Sequence, residues 1–153
     1  MSMDTQITPE LAYALVERTP DALIYAGPDG LVAAWNPACE HIFGFTAEEA
    51  MGQSLDIIIP DRFREPHWKG FDAALQTGKT KSDGTPTMTQ AIHKSGELIY
   101  IEVGFRLVFG SDGKPVGALA SAREATARFN HDRKLRRELK ELREAAAATS
   151  PSA

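Results

Sequence analysis

Cysteine occurs once in the 153 residues, at Cys39, so no disulfide can form within the chain. A reducing cytosol is the compartment such a sequence suits. No apolar run approaches the ~20 residues of a membrane-spanning helix. The opening MSMDTQITPE has no basic stretch followed by an apolar one, so no secretory leader is expected. Positive charge is not in excess either. Lys and Arg number 17 against 21 Asp and Glu, a net charge of −4, which argues against nucleic acid as a partner. There is no internal repeat, and low complexity is confined to Ala145–Ala153, a tail expected to fray. Ser-His-Asp, paired-carboxylate and phosphate-loop constellations are also missing, so catalysis without a cofactor has no candidate residues. What remains is a chain long enough for one domain burying about 68–70% of its unfolded surface.

The punctuation of the sequence is strong. Thr8-Pro9-Glu10 opens an amphipathic helix with Leu11, Leu15 and Val16 on one stripe, ending near Thr19-Pro20. Short apolar strands are expected at Ala22–Ala26 and Leu31–Trp35, joined by the turn Gly27-Pro-Asp-Gly30. Asn36-Pro37 caps a helix through Phe43, and Thr46-x-x-Glu49 is a capping box for another that Gly52 closes. Ile57–Ile59 is expected to be buried, with Pro60 as its stop. Three longer strands follow, at Thr85–His93, Glu97–Phe109 and Val116–Glu124, with turns at Lys94-Ser-Gly96 and Gly110–Pro115. Two strands, small helices and three antiparallel strands describe an α+β domain with helices on one face of a sheet. Ala127–Ala147 reads as a charged helix in which Phe129, Leu135, Leu139 and Leu142 fall near heptad spacing. The organisation is therefore an N-terminal helix in residues 1–19, a core domain in 20–127 and a C-terminal helix with its tail in 128–153.

Between the short and long strands lies Pro60-Asp-Arg-Phe-Arg-Glu-Pro-His67-Trp-Lys-Gly-Phe71. Proline is tolerated in a first helical turn, so a helix is expected from Glu65 or Pro66 to Gly78. Gly70, Phe71 and Leu75 then share a face with His67, while Trp68, Lys69 and Asp72 point elsewhere. His67 is expected to look over an apolar cavity as a neutral imidazole able to bind a metal. The competing reading is a buried histidine that only hydrogen-bonds, the usual fate of a lone His on an apolar face. His41, His93 and His131 read as solvent-facing or structural, and Cys39 as a small buried hydrophobe.

As a set, several of these residues resemble the PAS domain family: Asp29-Gly30 before a strand ending Trp35-Asn36, Ala38-x-x-x-x-Phe43-Gly44-Phe45, Glu48-Glu49-x-x-Gly52, Lys94-Ser-Gly96 and Ala122-Arg-Glu-Ala-Thr126. The resemblance covers about residues 20–127. It implies a five-stranded antiparallel sheet cupping small helices around a ligand cavity, and a homodimer through the N- and C-terminal helices. Fold alone does not name the ligand. The flavin-photoreceptor branch requires a cysteine in an Asn-Cys-Arg-Phe-Leu motif, which this chain lacks. Pro60, Arg64 and His67 instead match the Pro…Arg-x-x-His segment of the haem-binding branch, where the histidine is the axial iron ligand. The intervals onward to Gly78 and Gly96 fit that branch without a gap.

The resemblance thus implies haem b, with His67 on the iron and its other ring nitrogen donating to a carbonyl or carboxylate. Ala118, Ala120 and Ala122 alternate onto one face of the last strand, opposite a wall of Ile99, Ile101, Val103, Phe105 and Leu107. Three alanines facing bulky residues suggest vacated volume rather than a filled core. Phe71, Leu75 and this wall would contact the macrocycle, and Lys79 and Lys81 would meet its propionates. Where haem-PAS oxygen sensors place an arginine, the equivalent position here is Thr87. Met88 and Gln90 are the neighbouring candidates for the distal side, although Met88 reads rather as gap-filling core.

Three functions follow from the resemblance. The first is a free-standing haem sensor of a small ligand such as O2, CO or NO, signalling through dimer rearrangement or a partner in trans. Its Arg133–Arg143 run, interleaved with glutamates, reads as a solvated face with an apolar dimer seam. The second is an enzyme, because the layout resembles single-domain haem-PAS proteins that degrade small nitramines such as N-nitroglycine with ferrous haem. The third is a PAS dimerisation module without cofactor.

Overall fold

The computed structural model describes residues 6–149; Met1–Thr5, the start of the expected leaderless opening, and residues 150–153 of the expected frayed tail lie outside them. Five strands form one antiparallel sheet: β1 (Ala22–Ala26), β2 (Val32–Trp35), β3 (Thr87–Ile92), β4 (Leu98–Phe109) and β5 (Pro115–Glu124), in the order β2-β1-β5-β4-β3. The first and last strands are therefore neighbours at the centre, with Ala22, Ile24 and Ala26 opposite Ala122, Ala120 and Ala118. On β4 the same alternation sets Val103, Phe105 and Leu107 opposite Ala122, Ala120 and Ala118. All these residues face one way. The helices on that face are α2 (Pro37–Phe43), α3 (Ala47–Ala50), a 3-10 turn (Leu55–Ile57) and α4 (Asp61–Thr77).

The helix starts are dictated locally. Thr8 caps α1 (Pro9–Arg18) by accepting from Leu11 N, and Thr46 and Glu49 form the reciprocal capping box of α3. Asn36, buried to 2% exposure, does more than cap α2. Its Oδ1 accepts from Leu23 N at 2.9 Å and Cys39 N at 3.3 Å, while Nδ2 donates to Val16 O and Asp21 O, both at 3.0 Å. One side chain thus ties α1, β1 and α2 together with both its donors and its acceptor used.

Three elements differ from expectation by more than one residue at a boundary. α4 begins at Asp61, so Pro66 lies inside the helix and not at its first turn. Arg64 carries that extra turn: it pairs with Asp61 at 2.6 Å, and its Nε and Nη2 donate to Ile59 O and Asp56 O at 3.0 and 3.1 Å. β3 starts at Thr87, because Pro86 has no N–H for the ladder and Thr85 N closes a turn on Ser82 O at 2.9 Å. α5 spans Thr126–Thr149, taking in most of the alanines expected to fray, since alanine is the best helix former. Of Ile57–Ile59, Ile58 is buried and its neighbours are half-buried. No helix among the described residues is long and apolar enough to cross a membrane.

Candidate functional site

Two elements aim α4 at the sheet. The Trp68 ring packs over the β1–β2 turn so closely that a Cβ on Gly30 would lie 2.6 Å from it. Trp68 Nε1 also donates to Asp56 Oδ1 at 2.8 Å. With α4 held in this roll, His67 turns inward, 6.4 Å from Phe71 and 6.5 Å from Phe105 between ring centroids.

Two cavities meet at that imidazole, one of about 470 Å³ and one of about 340 Å³. Ile24, Leu55, Pro66, His67, Phe105 and Ala120 line both. The larger continues past Gly70, Phe71, Ala74 and Ala118 to a polar rim of Lys79, Thr80, Lys81 and Ser82. The smaller runs between Ile58, Phe63, Ile101, Val103 and Ala122 towards Thr87, Thr89 and Gln90. Each volume lies in the ~300–1,000 Å³ range of small-molecule and cofactor sites. Gly70, one turn beyond His67, borders the larger cavity and is exposed, and a Cβ added there would meet nothing within 4 Å.

Among the described residues, His67 Nδ1 is the one buried side-chain nitrogen or oxygen without a hydrogen-bond partner. Burial holds the imidazole below its ordinary pKa, with the Asp56 carboxylate opposing. It is therefore neutral at pH 7, with a lone pair available. The nearby Asp56 carboxylate accepts from Trp68 Nε1, and the carbonyl or carboxylate expected to hold the ring nitrogen that faces away from a metal is not found among the described residues. Among the described residues no group of three or more His, Cys, Asp or Glu converges, so His67 stands as a single donor.

Most of the residues expected around His67 do border the cavities. Phe71, Lys79, Lys81 and Ala118 line the larger, Thr87, Gln90, Ile101 and Val103 the smaller, and Phe105 and Ala120 both. Leu75 borders neither; it packs against the core, and Ala74 takes its place. At 3.6 residues per turn, eight residues leave Leu75 about 80° from the imidazole, while seven leave Ala74 about 20° away. Met88 borders neither as well. It pairs with Glu102 on the outer face and is 37% exposed, whereas Thr87 and Thr89 pair with the inward Val103 and Ile101. Thr89 was not expected in the site, although strict alternation from Thr87 would have found it. Gln90 also sits on the outward register: its Nε2 donates to Tyr100 OH at 3.0 Å, and its Oε1 accepts from Arg62.

The remaining candidates are occupied elsewhere. His93 Nδ1 accepts from Ser95 N at 3.0 Å, and His41 and His131 are exposed. Cys39 is fully buried beside Leu23 O and Asn36 Oδ1, and burial pushes its thiol up to about 12. It is inert at neutral pH.

Comparison with known proteins places this architecture. The model of the PAS fold matches residues 16–129. The chain is 30% identical over 95 residues to "Oxygen sensor protein DosP" of Escherichia coli K12, an alignment covering 62% of this chain and 12% of that protein. It is 30% identical over 70 residues to "Sensor protein FixL" of Bradyrhizobium diazoefficiens, covering 46% and 13%. An uncharacterised protein of Azorhizobium caulinodans is 27% identical over 124 residues, covering 76% and 17%. The alignments thus span under a fifth of the length of these relatives. Among solved structures, the PAS domain of a Colwellia psychrerythraea protein superposes with a TM-score of 0.68 at 21% identity, covering 77% of this chain and 97% of that one. An RNA-binding light-oxygen-voltage receptor superposes at 0.72 and 18% identity, covering 91% and 39%; at such identities the likeness is one of fold. With the five-stranded order, the helical face and a family match across most of its length, this chain belongs to the PAS fold family.

Proposed function

We propose that this PAS domain holds haem b through His67 and senses a small ligand, such as O2, CO or NO, at the iron. The observation that carries the reading is the orphaned Nδ1 of a neutral, inward-facing imidazole at the junction of two largely apolar cavities. A lone histidine suits an iron whose equatorial nitrogens come with its own macrocycle, and no protein cluster is then needed. The similarity to two proteins named as sensors, one of them an oxygen sensor, points the same way.

The residues present fit the group. His67 would be the axial ligand. Phe71, Phe105, Ala118 and Ala120 would give its faces apolar contact, and Lys79 and Lys81 stand at the polar rim where propionates would end. When bound, ferrous haem supplies reversible axial binding of small ligands and electrons. The chain's own part is to keep His67 deprotonated by burial, to exclude bulk water with Ile101 and Val103, and to offer the Thr87 and Thr89 side chains at the far end of the smaller cavity. A signalling partner in trans would read the bound state, and the cytosol is the compartment that suits a lone buried thiol.

An enzymatic reading, breakdown of a small nitramine on ferrous haem, is favoured by one feature. The smaller cavity places the Thr87 and Thr89 hydroxyls, hydrogen-bond donors for nitro oxygens, in its lining.

Titration of purified protein with haemin tests the reading. A saturable Soret band that His67→Ala abolishes supports it, and protein that takes up no porphyrin leaves the apo dimerisation module. Consumption of N-nitroglycine by the dithionite-reduced, loaded protein under argon would replace the sensor with the enzyme.

A further inference from the structure

β3 is an edge strand of the sheet, and the smaller cavity lies between it and the start of α4. Phe63 on α4 and Thr87, Thr89 and Gln90 on β3 line that cavity from the two sides of the gap. Thr87 is exposed and the other three are half-buried, so the gap is where this cavity meets solvent. One end of it is pinned by backbone, with Ile92 N donating to Ile58 O at 2.8 Å. Along the rest, a single side-chain hydrogen bond among the described residues joins α4 to β3: Arg62 Nη2 donates to Gln90 Oε1.

Both ends of this strap are prepared. The Arg62 guanidinium carbon lies 4.6 Å from the centroid of the Phe63 ring, so the side chain folds over a lining residue on its way to the strand. Gln90 is held in turn. Its Nε2 donates to Tyr100 OH at 3.0 Å, and Tyr100 stacks on Phe129 with ring centroids 3.7 Å apart. Among the described residues no carboxylate pairs with Arg62: Asp61 pairs with Arg64 at 2.6 Å, Glu65 with Lys69 at 3.2 Å, and Glu102 with Arg128. The Gln90 amide accepts a hydrogen bond but is neutral, which leaves the positive charge uncompensated at the gap. Arg62 is also exposed, and one bond to an amide is weak enough against water and rotamer freedom to open readily.

We infer that Arg62 is the entry residue of the smaller cavity: its bond to Gln90 straps the mouth shut, and its unpaired charge steers small anions through when the strap opens. Inside, the Thr87 and Thr89 hydroxyls meet such an anion as hydrogen-bond donors before it reaches His67. The portal belongs to the chain itself, so the inference does not rest on what His67 binds.

A Thr89→Cys reporter in the full chain, without added haemin, tests this by thiol labelling. Cys39 is buried and unreactive, so one thiol responds. The probes are methyl methanethiosulfonate, which is neutral, and its anionic sulfonatoethyl and cationic aminoethyl analogues. Loss of the strap should speed the neutral probe about three- to tenfold in both Arg62→Ala and Gln90→Ala, the equivalent of one hydrogen bond. Charge separates the two variants. Relative to free cysteine, the anionic probe should be favoured over the cationic one about fivefold, the effect of one unit charge several ångströms away in a high dielectric. That preference should survive Gln90→Ala, vanish in Arg62→Ala and fade in about 0.5 M salt. Comparing probes within one variant cancels any change in the reporter thiol's own ionisation. Neutral labelling indifferent to both substitutions, or an anion preference that is absent or outlives Arg62→Ala, overturns the inference. Haemin uptake by the same proteins stands as a separate result.

Discussion

Trp68 Nε1 donates to Asp56 Oδ1 at 2.8 Å, and this bond fixes the roll of the helix on which the neighbouring His67 points into the cavities. Asp56 is half-exposed, with Arg64 Nε 3.9 Å from its Oδ1. Trp68→Phe should therefore cost only about 1–2 kcal/mol by urea unfolding, the lower range for a hydrogen bond to a charged group. Haemin affinity should fall by more than this modest destabilisation explains, because the imidazole loses its aim. Unchanged affinity would show that helix packing alone sets the roll.

Two glycines on either side of that tryptophan should respond oppositely to alanine. Gly30 has φ +78° and its added Cβ would lie 2.6 Å from the Trp68 ring, so Gly30→Ala should destabilise the fold by about 1–3 kcal/mol. Gly70 sits mid-helix over open space. Gly70→Ala should stabilise the cofactor-free protein by about 0.5–1 kcal/mol while weakening haemin uptake, since the methyl enters the cavity. Thermal melts paired with Soret titrations read both effects.

The lowered pKa of His67 has a pH signature. Burial keeps the folded-state value under the ordinary 6.5, so below that pH the unfolded chain binds the extra proton. Stability contributed by the neutral imidazole is full above 6.5 and is lost as pH falls through the folded value. Urea midpoints of the cofactor-free protein should drop on acidification from pH 7, and His67→Gln should flatten that drop. Equal slopes for both proteins would place the titrating group elsewhere.

Register separates Met88 from Thr89. In the haem-loaded protein Met88→Ala should leave carbon monoxide dissociation unchanged, because the thioether lies on the outer face. Thr89→Val removes a hydroxyl at the cavity wall and should change that rate about three- to tenfold, the equivalent of one hydrogen bond. Stopped-flow exchange measures both, and a large effect at Met88 would mean the strand shifts register on loading.

Much of the fold is legible in the chain because its signals are local. The cap at Asn36, the capping box at Thr46 and Glu49, and the turn at Gly27–Gly30 are decided by residues a few positions apart. The inward alternation of Ala118, Ala120 and Ala122 follows from the pleat, once the parity of one member is known. Structure and expectation part where a local rule is overridden by a side chain reaching into the preceding turn. Pro66 reads as a first-turn residue, yet the helix extends five residues before it because Arg64 reaches back to Asp56 and Ile59.

The sequence by itself determined the strand and helix order, the family and a lone histidine followed by Gly70 and Phe71 on one helical face. Alternation groups Thr89 with Thr87, and only the tertiary structure decided that this pair and not Met88 faces the cavity, because parity across β3 is set by its pairing with β4. It also decided that Asp56 accepts from Trp68 Nε1 and that Nδ1 of His67 is buried without a partner. Both outcomes depend on how separate elements are set against one another, β3 against β4 and the 3-10 turn against α4, and hydrogen-bond satisfaction is a property of the assembled neighbourhood, not of any stretch of chain.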